Sequence, residues 1–329
     1  MSALSNLRAA RLLIADGRRE LEDAIRAGLA HPSQKLLPSQ LLYDDLGSAL
    51  FEVIGLLPEY GLTRADERIL KAHSGEILRR VGAPLRIAEL GSGGGRKTRW
   101  ILEAAASRPA VAYHPIDVSA AALERCAHSL SDLGGVRVEP IESDYIPGLR
   151  HAVAHRRARE RMLVLFLGST IGNFDRGPAA KFLREIRLLL EPGDGLLLGT
   201  DLVKPVPDLL AAYDDALGVT AAFDLNLLVH LDREFGADFV PRRFAHQARW
   251  NEAERRIEMH LIARATHAVS IPALGVEVEL RSGESLWTES SHKFEAEEAL
   301  RLAERAGFRR SGQWLDLEWA FAESLFIAG

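Results

Sequence analysis

The sequence predicts an α/β protein with a doubly wound, mostly parallel sheet and a second, composite α+β domain. Two observations carry the prediction. From about residue 66 to 203, apolar strand-length runs alternate with helical periods, the signature of βα units on a parallel sheet. Within that stretch, Leu85–Leu90 runs directly into a glycine-rich loop and then a helix start. Both ends of the chain break the rhythm, which points to a separate domain built from discontinuous segments.

In order, the pattern predicts a helix over Asp66–Val81, a strand over Leu85–Leu90 and a helix over Lys97–Ala106. A strand over Ala110–Val118 follows, ending at Asp117, then a helix over Ala120–Leu133 and a strand over Val136–Ser143. Arg161–Gly168 is almost wholly apolar, as suits a strand buried on both faces. A helix over Pro178–Leu190 and a strand over Gly195–Asp201 complete the alternation. Residues 1–64 read as mostly helical. Residues 204–289 begin with a helix near Leu209–Leu217, pass through a loop-rich stretch, and then show alternating runs at Arg256–Val269 and Val276–Leu280. The tail holds a helix, Ala296–Ala306, and two short strands. The expected domains are therefore 65–203 with 290–329, and 1–64 with 204–289.

Composition narrows the function. The chain has 329 residues, 47% hydrophobic and 26% charged, with a formal charge of −5. That is ordinary for a globular protein and lacks the basic footprint of a nucleic-acid binder. Cys126 is the only cysteine, so neither an internal disulfide nor a cysteine-type zinc site is available, and no metal is expected. No signal-peptide pattern or membrane-length apolar run is apparent, so a cytoplasmic protein is expected; the sequence does not give the oligomeric state, and a monomer is the working expectation.

The loop Gly91-Ser-Gly-Gly-Gly-Arg-Lys-Thr98 has Arg96 where a Walker A loop needs its second glycine. Arg96 also fills the last glycine slot of a dinucleotide fingerprint. What fits is E-x-G-x-G-x-G from Glu89 to Gly95, which resembles motif I of S-adenosylmethionine-dependent methyltransferases and implies a class I methyltransferase-like sheet. Ligands of such sheets sit outside the carboxyl ends of the strands. Asp117, ending the second strand, can accept both ribose hydroxyls, or it can cap the helix that starts near Ser119. Asp144, ending the third, can accept from an exocyclic amine, and Tyr145 can offer a ring face. Lys97 can reach the carboxylate of the donor's amino-acid end, or be a surface residue of the helix start.

A narrower resemblance covers nearly the whole chain. Leu42-Tyr-Asp-Asp-Leu-Gly-Ser48, Leu57-Pro-Glu-Tyr60, Gly168-Ser-Thr-Ile-Gly-Asn173, Leu198-Gly-Thr-Asp-Leu-Val-Lys204, Ala212-Tyr-Asp-Asp215, Gly218-Val-Thr-Ala-Ala-Phe223, Ile257-Glu-Met-His-Leu261 and Thr288-Glu-Ser-Ser-His-Lys-Phe294 occur in one order. Together they resemble the histidine Nα-methyltransferases of ergothioneine biosynthesis. The resemblance implies that S-adenosylmethionine is bound by Tyr43, Gly91, Lys97, Asp117, Asp144 and Tyr145. It implies that Asn173 and Tyr213 bind the carboxylate of L-histidine, that Tyr60 lines the pocket and hydrogen-bonds the substrate, and that Glu289 and Ser291 hold the imidazole against Met259. The i, i+2 spacing of Glu289 and Ser291 puts them on one face of an extended segment. No general base is assigned, and Tyr60 is the candidate for a proton relay.

Each of these residues also has a structural use: Asn173 as a helix cap, Tyr213 and Met259 as core, Glu289 as a solvated acid. The alternatives are action on another aromatic amino acid such as tryptophan, a non-catalytic cofactor-binding module, and a nucleotide hydrolase built on the near-Walker loop. Three positions depart from the family pattern: Gly61 where a second tyrosine is expected after Tyr60, Asp224 where asparagine is expected, and Ser143-Asp144-Tyr145 in place of a Gly-Asp-Phe-like triplet.

Overall fold

The structure, a computed structural model, describes residues 17–107 and 111–329. The chain divides into two compact units: Met1–Tyr60 with Val206–Ser290, and Gly61–Pro205 with Ser291–Gly329.

The second of these units is built on a mixed α/β sheet. Its strands run in the order Phe308–Asp316, Phe321–Ala328, Gly195–Asp201, Arg161–Phe166, Leu85–Leu90, Val111–Asp117, Val136–Val138, with Ile141–Glu142 also pairing Val111–Asp117. The pairs from Gly195–Asp201 to Val136–Val138 are parallel, and the two C-terminal strands add antiparallel at one edge. Leu85–Leu90, Gly195–Asp201 and Phe321–Ala328 are buried along their whole length, as strands covered on both faces must be. The tail strands are thus long, not short: Phe321–Ala328 is buried throughout, and Phe308–Asp316 forms the partly exposed edge.

Several boundaries move for local reasons. The first helix of this unit starts earlier, at Gly61–Val81. The strand expected over Val136–Ser143 is two pieces, Val136–Val138 and Ile141–Glu142, because Pro140 has no N–H to give the ladder. Ala110, the expected start of the second strand, lies outside the described residues; the strand is observed over Val111–Asp117. A helix over Tyr145–Ala154 was not expected.

The other unit holds a four-stranded sheet in the order Lys35–Leu36, Ser285–His292, Arg256–Ala263, Phe244–Asn251, and a separate hairpin of His267–Ile271 with Val276–Leu280. The run expected over Arg256–Val269 is therefore two strands in two sheets. The stretch expected to be loop-rich contains the 17-residue helix Val219–Phe235. Asp215 starts that helix, accepting from the N–H groups of Val219 (3.0 Å) and Thr220 (2.7 Å). Asp224 and Asn226 lie buried on it beside Phe223, Leu227 and Leu228, which broke the apolar period on which sequence reading depends.

Candidate active site

In the sheet unit, the loop after Leu85–Leu90 turns through left-handed glycines, Gly91 at φ 73° and Gly95 at φ 73°. A Cβ on Gly95 would stand 2.6 Å from the Cys126 sulfur, so only glycine lets the chain pass there. The amides of Gly91 and Ser92 donate to the Ile116 carbonyl at 2.8 and 3.3 Å. Asp117 pins the loop from the neighbouring strand end. One of its oxygens accepts from the Gly93 amide and the other from the Ser119 amide, both at 3.0 Å. Capping of the following helix falls instead to Ser119, whose hydroxyl accepts from Ala122. Asp144 stands at the N-cap position of Tyr145–Ala154, but its carboxylate makes no cap hydrogen bond. The Tyr145 ring lies against Gly91 and packs edge-on to Phe166 and Phe182. Backbone amides, a strand-end acid pair and an aromatic ring thus frame one edge of the sheet, a donor set that fits a nucleoside with a diol and an exocyclic amine.

Beneath this loop is a buried ionic network that sequence reading missed. Lys97 pairs with Asp66 at 3.0 Å, and the same Asp66 oxygen accepts from the Gly168 amide at 3.0 Å. Glu89 accepts from the Thr98 hydroxyl at 2.7–2.8 Å and from the Tyr113 hydroxyl. Burial pushes the Glu89 carboxyl up to about 7 against the opposing pull of these hydroxyls and Lys97. Glu323 is fully buried, and neither of its oxygens finds an ordinary donor. Burial and then Asp66 raise its carboxyl well above the usual range. Burial opposes the charge of Lys97, but Asp66 and then Glu89 outweigh it and raise its pKa.

Gly168 (φ 67°) and Ser169 (φ 58°) turn the chain out of Arg161–Phe166 into a short 3-10 turn, Thr170–Asn173, whose last residue is Asn173. The helix that follows has Asp175, not Asn173, at its N-cap position. Ser291 is buried and accepts from the Lys293 ammonium at 2.9 Å. Lys293 also pairs with Asp201 at 2.8 Å, and Asp201 accepts from the indole of Trp319 at 3.1 Å. That indole explains one departure from the family pattern. A Cβ on Gly61 would collide with the Trp319 ring, so the aromatic group beside position 61 comes from the far end of the chain.

In the other unit, Phe51, Tyr60, Tyr213, Phe223, Met259 and Glu289 line one small cavity. Tyr60 packs edge-on to Tyr213 with ring centres 5.9 Å apart, and to Phe51 at 6.2 Å. The space among these side chains is about 10 Å³, close to one water, so an amino acid enters only if the aromatic rings move. Tyr43 belongs to this unit and donates from its hydroxyl to Glu289 at 2.9 Å. It packs edge-on to Phe51 and Phe223. Phe51 and Phe223 are wall residues that sequence reading did not single out; Phe223 ends a quoted family segment, whereas Phe51 lies outside all of them.

The profile of histidine-specific, S-adenosylmethionine-dependent methyltransferases matches residues 21–328. The chain belongs to this family. It is 41% identical to the histidine N-alpha-methyltransferase of Mycolicibacterium smegmatis, over 97% of this chain and 98% of that one. It is 40% identical to the protein of the same name from Mycobacterium tuberculosis, over 94% of this chain and 95% of that one. Ergothioneine biosynthesis protein 1 of Neurospora crassa is 31% identical over 84% of this chain, which spans 32% of that longer protein. As a member of the family, the protein is an enzyme with S-adenosylmethionine as methyl donor. Among the described residues no cluster of side chains suited to a metal is found, and no helix is long and apolar enough to cross a membrane.

Proposed function

We infer that this methyltransferase transfers methyl groups to the α-amine of L-histidine, up to the trimethylated product hercynine, the first step of ergothioneine biosynthesis. The observation that carries the reading is near-full-length identity of about 40% to two histidine N-alpha-methyltransferases, together with Glu289, a buried carboxylate on a wall of aromatic side chains. A buried acid suits an imidazole, which can present two N–H donors and a positive charge, better than an indole, which offers one neutral N–H. This favours histidine over tryptophan.

Within the sheet unit, Gly91, Lys97, Asp117, Asp144 and Tyr145 take the cofactor in this reading. Asp117 meets the ribose and Asp144 the adenine amine. In the other unit, Glu289 takes the imidazole, Met259 gives the ring an adaptable wall, and Tyr60 and Tyr213 bind polar groups of the substrate. Asn173 and Ser291 keep the substrate roles that the family resemblance assigns them. Tyr43 joins the set through its bond to Glu289.

The cofactor supplies an electrophilic methyl on a sulfonium. The protein's own task is alignment, which can contribute several kcal/mol. The nucleophile is the neutral α-amine. Such amines titrate near 8, so a usable fraction is present without a strong base. A cytoplasmic setting and a monomeric state belong to the same proposal; the lone cysteine, Cys126, fits a reducing compartment. Incubation of the purified protein with S-adenosylmethionine and histidine is expected to yield mono-, di- and trimethylhistidine by mass spectrometry. Methylation of tryptophan in preference to histidine would overturn the substrate assignment.

A further inference from the structure

His246 lies on the strand Phe244–Asn251 with its side chain 1% exposed. Its two ring nitrogens have one partner each. Nδ1 meets the Asp224 carboxylate at 2.7 Å, and Nε2 meets the backbone carbonyl of Tyr213 at 2.8 Å. Both partners are acceptors. A neutral imidazole carries a single N–H and can satisfy only one of them. The pair therefore holds two protons, and the imidazole, ordinarily more basic than a carboxyl group, takes both.

The place of this pair gives it a use. Tyr213 ends the helix Val206–Tyr213, where carbonyls lack an intrahelical partner and a cation is favoured. Asp224 follows Phe223 on Val219–Phe235, and Phe223 lines the same cavity as Tyr213. Across the strand pair His246 stands opposite Leu261 and one step diagonally from Met259, another cavity residue. We propose that Asp224 and His246 form a buried ion pair, with the imidazole protonated at both nitrogens, and that this pair is the positioning device for Tyr213 in the substrate pocket. Its effect on substrate binding rests on the reading that Tyr213 contacts histidine.

The electrostatic surroundings agree. Burial alone lowers the basicity of His246, but Asp224, then the Tyr213 carbonyl and Asp214, carry it above the ordinary value. Asp224 and Asp214 are the charged groups that act on the ring from the two helical segments. By strand alternation Arg249, Glu258 and His260 lie on the opposite face of the strand pair. The second oxygen of Asp224 is buried with no hydrogen-bond donor, so His246 is the group that balances this carboxylate.

When the pair loses its second proton, one of the two ring bonds must break; the remaining N–H stays with the Asp224 carboxylate, and the Tyr213 carbonyl loses its ring donor. Asparagine at 224 changes this. Its amide can donate to Nδ1 of a neutral ring, whose Nε2–H still holds the Tyr213 carbonyl, with no titrating proton.

The test combines nitrogen-15 spectra of the His246 ring with kinetics across pH. In the free wild-type enzyme at neutral pH, both ring nitrogens are expected to be protonated; a ring with one N–H overturns the proposal. This spectrum is read without substrate, so it fails independently of the substrate-site reading. In kinetics, the wild-type KM for histidine is expected to rise about tenfold on the alkaline side, the worth of one lost charge-assisted bond, with kcat changed far less. Asp224→Asn is expected to keep the neutral-pH KM within about twofold and to remove the alkaline rise. His246→Leu is expected to show the raised KM at every pH. Persistence of the alkaline rise in Asp224→Asn overturns the proposal, and that variant decides the matter even if His246→Leu does not fold.

Discussion

The charge network of the sheet unit and the cavity wall of the other unit hold their polar groups in opposite ways. The sheet unit buries charge: Lys97 lies among Asp66, Glu89 and Glu323, and Asp201 lies against Lys293 and Lys204. The other unit lines its cavity with aromatic rings around one carboxylate, Glu289. A charge network is unforgiving, because removal of one member strands the others in a low dielectric. An aromatic wall tolerates loss of one polar contact without collapse. The difference teaches where stability and specificity reside. Substitutions in the network should cost folding and function together, whereas substitutions at the polar points of the wall should cost substrate affinity alone.

The hardest test of that contrast is Lys97→Met. It leaves Asp66, Glu89 and Glu323 together with no cation. Lys97 keeps about a quarter of its side chain exposed, which softens the penalty. The unfolding free energy is still expected to fall by about 3 kcal/mol, with loss of S-adenosylhomocysteine binding. Chemical denaturation and calorimetry check both. A stability change within about 0.5 kcal/mol, the range of ordinary surface substitutions, would erase the contrast.

Glu89 gives the network a pH signature. Its carboxyl titrates at about 7 in the folded state, raised by burial from an ordinary 4.5. A carboxyl with a raised folded pKa binds its proton more tightly folded than unfolded. Its contribution is therefore fully present below the ordinary value and is lost as pH rises through the folded one. This single group is expected to lower the unfolding free energy by on the order of 3 kcal/mol between about pH 4.5 and pH 7. Glu89→Gln is expected to flatten that slope in denaturation curves. An unchanged slope would place the titration elsewhere.

Glu289→Ala probes the other unit. It removes the acid proposed to hold the imidazole and, with it, the Tyr43–Glu289 hydrogen bond. The expected cost is about 2 kcal/mol in histidine affinity, roughly thirtyfold in Kd, with stability and S-adenosylhomocysteine binding little changed. Calorimetry with both ligands separates the two readings.

The same contrast governs what could be read from the chain. The sheet unit was legible because a regular βα alternation marks its strand ends in the sequence, so the positions of Asp117 at a strand end and Asp144 ahead of a helix could be read from it. Its network was not, since Asp66 and Glu323 come from opposite ends of that unit's sequence and carry no shared pattern. Trp319 beside Gly61 is invisible for the same reason. In the other unit, the helix Val219–Phe235 was missed because Asp224 sits in its buried stripe, and the structure shows that residue paired with His246. Tertiary partners had licensed the polar residues that broke the period.

Tyr43 is where the comparison can be sharpened most finely. The family resemblance places it with the cofactor, whereas its hydroxyl donates to Glu289, inside the aromatic unit. Tyr43→Phe deletes that one hydroxyl and keeps the ring that packs on Phe51 and Phe223. Glu289 then loses one donor to its charge, worth about 1 kcal/mol. If the hydroxyl serves to orient Glu289, the Kd for histidine is expected to rise about fivefold while that for S-adenosylhomocysteine stays fixed. If the hydroxyl serves the cofactor, the two effects exchange places. Measured side by side, the two affinities assign Tyr43 to one ligand, and a shift in both by the same factor would mean that it couples them.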